Sequence, residues 1–194
     1  ILDTIEGGLY NKQFGTVFTP NPDDPDRPHE ITTFRKEEGY SDLRHPDKIT
    51  WGKTLKEDLS RRDFTINAMA LKNTELIDPF DGQKDIITKT VRAVGDADER
   101  FSEDALRMMR AIRIAAELGF IIEEKTLEAI KNNAPLINKI AKERVKEELF
   151  KLLSSPYPYD GMLLLRSSGL MIEILPELEK CFGVEQKSPG RHHV

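Results

Sequence analysis

SEDALRMMRAIRIAAELGF, residues 102–120, is the stretch on which the fold turns. Leu106, Met109, Ile112 and Ala116 recur at helical intervals and predict an amphipathic helix. Ser102 occupies the N-cap position, acids fill the first turn, and Gly119 stands past the end. The polar side carries Asp104 and Arg107, three residues apart and therefore on one side of the helix. Arginine offers only hydrogen-bond donors, and an ionised aspartate only acceptors. Cytosine and adenine each present an amino donor beside an unprotonated ring nitrogen, whereas uracil and guanine reverse that order. The pair could thus read a base edge, accepting C and A and rejecting U and G, with about 1–3 kcal/mol of discrimination. The same spacing also suits a plain surface ion pair worth about 0.2–0.5 kcal/mol, and the helix alone does not separate the two.

On the N-terminal side, from 14 to about 80, the signals are short and strand-like: FGTVF, EITTF, INAMAL and ELIDPF, separated by turn-rich segments. From about 97 onward the chain reads as consecutive helices, with further patterns over about 124–133, 142–154 and 159–168, the last ending near Gly169. The simplest architecture is a small α+β unit followed by an all-α unit. At 194 residues, one or two compact domains with a substantial core are expected. The single cysteine, Cys181, excludes an internal disulfide framework. No apolar stretch approaches membrane-spanning length, and ILDTIEGG lacks a signal-peptide pattern. A net charge of −5 gives no global attraction for nucleic acid, so any such contact must rest on local patches such as the arginines of 107–113.

Four segments occur together: RRDFTINAMA at 61–70, LIDPFDGQKDI at 76–86, RAVGDADERFSEDALRMMRAIRIAAELGF at 92–120 and KERVKEELFKLL at 142–153. In order and approximate spacing they resemble the motifs of the class II tRNA nucleotidyltransferase family, which includes CCA-adding enzymes and bacterial poly(A) polymerases. The resemblance runs from about Phe14 to Leu178. It implies an α+β protein whose polymerase-β-like catalytic head leads into a helical neck and body. On this chain that gives a partial head over 1–95, a neck over 96–155 and the start of the body over 156–194. The implied activity is Mg²⁺-dependent, template-independent addition of nucleotides from CTP and ATP to the tRNA 3′ end, in the cytoplasm. Two alternatives stand beside it: a poly(A) polymerase of the same family, and a non-catalytic RNA- or nucleotide-binding module.

Residue chemistry assigns roles within that frame. Arg62 has the planar fork that matches phosphate oxygens. Asp63 can accept from a ribose hydroxyl, and Asn67 can fix the same sugar or the Asp63 side chain. Asp104 and Arg107 would read the base, with Arg110 counted among the nucleotide contacts. Phe64, Ile66, Met69 and Ala70 read as core. In KERVKEEL the resemblance makes Glu143, Arg144 and Glu147 braces of the base-reading helix, and it makes 34–50 a flexible loop. Asp78, in DPFDG, reads mainly as an ordered turn between sheet and helix.

The metal is another matter. Asp24 and Asp26 have the D-x-D spacing of a two-metal site, but NPDDPDRPHE is a proline-rich loop, and such chemistry needs carboxylates on a rigid element. The family's metal-binding aspartates follow a Gly-Gly motif, and Gly7-Gly8 followed by LYNKQFGTV does not match it. The expectation is a chain with no metal ligands of its own and, taken alone, nearly inactive. Glu30, which opens EITTF, is either a carboxylate supporting that site or a half-exposed strand residue paired with an arginine. His192 and His193 read as part of a chain end rather than as ligands.

Overall fold

The computed structural model describes residues 8–11, 15–40 and 47–185. Gly7, Phe14, the middle of the 34–50 segment, His192 and His193 lie outside them.

The N-terminal part is built from short antiparallel pairings. Strands β1 (Leu9–Asn11), β2 (Thr16–Thr19) and β3 (His29–Thr32) form one sheet in that order, with Val17 opposite both Tyr10 and Ile31. β4 (Arg35–Glu38) pairs with β5 (Lys48–Trp51). The segment expected to be a flexible loop therefore has a hairpin at its base, fixed by the Arg35–Trp51 register. Helix α1 (Leu55–Ser60) starts in a full capping box, in which Thr54 accepts from the Glu57 N–H and Glu57 accepts from the Thr54 N–H.

INAMAL departs from its strand expectation. Thr65–Asn67 is a 3₁₀ turn, and strand β6 begins only at Ala70, running to Lys72 opposite β7 (Glu75–Ile77). Tertiary contacts override the local β pattern: the Thr65 N–H donates to the Arg92 carbonyl at 3.0 Å, and its hydroxyl donates to the buried Asp85 carboxylate at 2.6 Å. Asp85 belongs to helix α2 (Gly82–Ile87), whose first N–H groups donate to Asp78 at 2.8 Å each, from Gly82 and Gln83. Burial would raise the Asp78 carboxyl, but those backbone donors and that of Phe80 outweigh it and hold it below its ordinary range. The structural role expected of Asp78 is thus the capping of α2.

Beyond β8 (Thr90–Val91) the described residues are mainly helical, with a short strand among them. It forms α3 (Ala97–Glu103), α4 (Leu106–Leu118), then β9 (Ile121–Ile122) parallel to β8, α5 (Glu124–Asn133), α6 (Lys142–Leu153), α7 (Pro158–Ser167), α8 (Leu170–Ile174) and α9 (Pro176–Glu179). The expected single helix from Ser102 is in fact two. Ser102 lies inside α3, where its hydroxyl donates to the Glu99 carbonyl, and the break falls at Asp104, which has extended backbone angles. The Asp104 carboxylate accepts from the Leu106 N–H at 3.0 Å, so Asp104 does the capping expected of Ser102.

α4 is the axis of the core. Met108, Met109, Ala111 and Ile112 are fully buried, and α6 and α7 pack along its length. The same apolar cluster reaches back to Phe64 and Val91 and forward to Leu165, Leu170 and Met171, so one core joins the site-bearing turn to the helices. Gly119 ends α4 with φ +64°, where a Cβ would stand 2.9 Å from the Tyr157 ring.

Candidate functional site

The turn that follows α1, the break between α3 and α4, and the inner side of α6 meet in an open cleft of about 660 Å³. Arg62, Asp63, Asn67, Asp104, Arg107 and Arg110 all line it, joined by Arg61, Arg144, Glu147 and Glu148. Five arginines face four carboxylates there, so a chain of net charge −5 gathers positive groups at this one place. Glu30 is not among them: it sits exposed on β3 opposite Phe18.

Asp63 is the most heavily bonded acid in the cleft. Its Oδ2 accepts from Arg110 Nε at 2.9 Å and Nη2 at 2.6 Å, and its Oδ1 accepts from the Phe64 N–H at 2.9 Å and Asn67 Nδ2 at 3.3 Å. Arg62 holds the same turn from outside, donating to the Asn67 carbonyl at 3.0 Å and lying 3.6 Å from Asp58. Asp58 anchors the turn's first residue as well, accepting from Arg61 Nη2 at 2.7 Å and from the Arg35 N–H at 3.2 Å. Burial works against its charge, yet Arg61, the Arg35 N–H and Arg62 keep its carboxyl below the ordinary range.

Asp104 and Arg107 are not paired with one another through their side chains, which removes the plain surface ion pair from the two readings of their spacing. Asp104 Oδ2 accepts from Arg144 Nη2 at 3.1 Å. Arg107 Nη1 donates to Glu103 at 2.6 Å and to the Arg100 carbonyl at 3.2 Å, while Nη2 donates to the Arg61 carbonyl at 3.1 Å. These contacts use three of the five guanidinium N–H groups and two of about four carboxylate acceptor positions. Donors and acceptors for a planar ligand edge therefore persist on both residues, each already oriented by protein contacts.

The bracing of α4 falls to a residue that sequence reasoning did not single out. Glu148, buried on α6, accepts from Arg113 Nε at 2.6 Å and from Lys151 Nζ at 3.0 Å, and Arg113 also donates to Glu117 at 2.5 Å. Burial opposes the Glu148 charge, but Lys151 and Arg113 together hold its carboxyl below the ordinary range. Of the expected braces, Arg144 acts on Asp104.

Asp24 and Asp26 form a turn, in which the Asp26 N–H donates to Asp24 Oδ1 and Arg27 approaches Asp24 at 3.8 Å. Among the described residues no three His, Cys, Asp or Glu side chains gather so as to hold a metal ion. The described residues offer no cluster of carboxylates for the divalent metal that the resemblance implies. A larger groove of about 930 Å³, lined by Phe120, Ile121, Tyr157 and Leu163, is mainly apolar and lies away from these polar groups. Among the described residues no helix is long and apolar enough to cross a membrane.

An α+β unit feeds a helical unit, with a cleft at their junction that presents arginine forks and aspartates, as in a nucleotidyltransferase head followed by helices. Residues 5–92 match the family model described as the poly A polymerase head domain, and residues 119–182 match that of the probable RNA and SrmB-binding site of polymerase A. The chain belongs to the class II tRNA nucleotidyltransferase and bacterial poly(A) polymerase family. It is 53% identical over 152 residues to the CCA-adding enzyme of Limosilactobacillus reuteri, covering 78% of this chain and 38% of that protein. The crystal structure of the Bacillus stearothermophilus CCA-adding enzyme in complex with CTP superposes with a TM-score of 0.77 at 38% identity, over 87% of this chain and 40% of that one. A tRNA nucleotidyltransferase complexed with a primer tRNA and an incoming ATP analog gives 0.72 at 28% identity, over 87% and 47%. The chain thus spans about two fifths of the length of the curated relatives it matches.

Proposed function

We propose that this chain is the nucleotide-selecting part of an enzyme that adds nucleotides from CTP and ATP, without a template, to the 3′ end of tRNA. The observation that carries the reading is the convergence of Arg62, Asp63, Asn67, Asp104, Arg107 and Arg110 on one cleft between three separate elements. Similarity to solved proteins bound to CTP, and to primer tRNA with an ATP analog, supports the substrate class. In this scheme residues 1–95 belong to the head, 96–155 form the neck, and 156–194 begin the body.

The roles follow from chemistry. Arg62 meets phosphate oxygens, Asp63 the ribose, and Asp104 with Arg107 the base edge, where C and A satisfy both partners and U and G leave them opposed. Arg144 and Glu148 keep that edge-reading geometry rigid, and selectivity depends on such rigidity before binding does. Glu30, exposed on β3, would act only as a supporting carboxylate of the catalytic centre. Mg²⁺ is what the family's chemistry calls for, and the described residues serve to hold and select the nucleotide instead. The activity is placed in the cytoplasm, where tRNA and nucleoside triphosphates meet.

The test is incorporation by the intact protein carrying this chain, on tRNAs ending before C, C or A, with each nucleoside triphosphate in turn. CTP and ATP incorporation confined to CCA is expected. Long tracts of A on unrelated RNA ends would instead identify a poly(A) polymerase. Asp104→Ala or Arg107→Ala should let UTP and GTP in, and full selectivity in both variants would overturn the base-reading roles.

A further inference from the structure

We infer that Asn67 is an exchangeable gate on Asp63 and that Arg110 is the positioning residue that makes the exchange selective for a ribose. The inference rests on the cleft being a nucleotide site, as proposed above. A carboxylate offers about four acceptor positions, and Asp63 has four donors on it: two from Arg110, one from the Phe64 backbone and one from Asn67. A sugar hydroxyl entering as a donor must therefore displace one of them.

The four are not equal. Arg110 grips Oδ2 with two charge-assisted bonds at 2.9 and 2.6 Å from the polar side of α4, and the Phe64 N–H is fixed by the backbone at 2.9 Å. Asn67 is a neutral donor at 3.3 Å on an exposed residue, the weakest of the set. Its backbone is held where it is, with its N–H on the Phe64 carbonyl and its carbonyl on Arg62, so the side chain can turn without unfolding the turn. The hydroxyl takes the Asn67 place on Oδ1, while Arg110 keeps Oδ2 engaged and the carboxylate plane fixed. The exchanging group is the 2′-hydroxyl, so a 2′-deoxy sugar, which keeps only its 3′-hydroxyl, has no donor at that position and leaves Asn67 in place.

The experiment measures equilibrium binding of CTP and 2′-deoxy-CTP to the 194-residue chain, in wild type, Asn67→Ala, Arg110→Gln and Arg110→Lys. Wild type should prefer CTP about tenfold. Asn67→Ala should keep or sharpen that preference, because the competitor for Oδ1 is gone. Arg110→Gln should bring the ratio of the two affinities to near onefold, whatever its effect on the affinity common to both nucleotides, and Arg110→Lys should restore the ratio in part, since a lysine holds the carboxylate without the fork. Loss of the preference in Asn67→Ala, or its persistence in Arg110→Gln, overturns the inference. Equal binding of the two nucleotides by wild type overturns it while leaving the nucleotide site standing, and binding of neither overturns both.

Discussion

Arg144, on α6, donates to the Asp104 carboxylate at 3.1 Å across forty residues of sequence. The residue that separates α3 from α4 is thereby tied to a third helix, while its other oxygen caps α4 through the Leu106 N–H. Asp104, which lines the cleft, is thus oriented twice.

Arg144→Ala should therefore cost selectivity more than stability. The pair is partly exposed, so its loss should lower stability by about 1 kcal/mol or less. The preference for CTP and ATP over UTP and GTP should fall about tenfold, within the range of a bidentate base contact. Binding of all four nucleotides, set beside thermal melting of the same variant, separates the two effects. Unchanged preference with a large drop in melting temperature would assign Arg144 to the core alone.

Glu148 predicts the opposite balance. It is buried between Arg113 and Lys151, so Glu148→Ala leaves Arg113 with one carboxylate fewer inside the helical unit and should destabilise by about 3–5 kcal/mol. Its folded-state carboxyl lies below the ordinary value of 4.5, so the stabilisation is fully present above that pH and is lost as pH falls towards the folded value. Melting temperatures at pH 7 and pH 4 should differ less in Glu148→Gln than in wild type. An equal acid response in both would place the acid sensitivity elsewhere.

Gly82 connects packing to the site. A Cβ there would collide with the Thr65 carbonyl oxygen, a clash with backbone that α2 relieves only by moving the 3₁₀ turn. Gly82→Ala should cost about 1–3 kcal/mol by overpacking. Because the turn ends at Asn67 and starts beside Asp63, nucleotide affinity should fall as well. Calorimetric titration together with melting checks both, and affinity retained at reduced stability would show that the turn moves independently of Asp63.

Much of this was legible from periodicity and end signals. α5, α6 and α7 lie where their apolar spacing puts them, and Gly119 closes α4 in the left-handed conformation that glycine favours. The grouping of Arg62, Asp63, Asn67, Asp104, Arg107 and Arg110 was also anticipated, through motif resemblance rather than spacing. The break at Asp104 was not legible, because SEDALR has no helix breaker and the contacts that extend Asp104 come from Arg144 and from the cap on Leu106. The 3₁₀ turn was hidden for a similar reason, since the Thr65 hydroxyl finds Asp85 twenty residues later. Glu148 was masked by its neighbours: α6 offers Glu143, Glu147 and Glu148, and only the phase set by packing against α4 selects the one that meets Arg113.

Base-edge reading by Asp104 and Arg107 is the proposal on which the selectivity of the cleft depends. The most direct measurement is titration of the chain, wild type and Asp104→Ala, with CTP, ATP, UTP and GTP. Wild type should bind CTP and ATP about tenfold or more tightly than UTP and GTP, and Asp104→Ala should bring the four together. Four equal affinities in wild type, or a preference that survives Asp104→Ala intact, would contradict it.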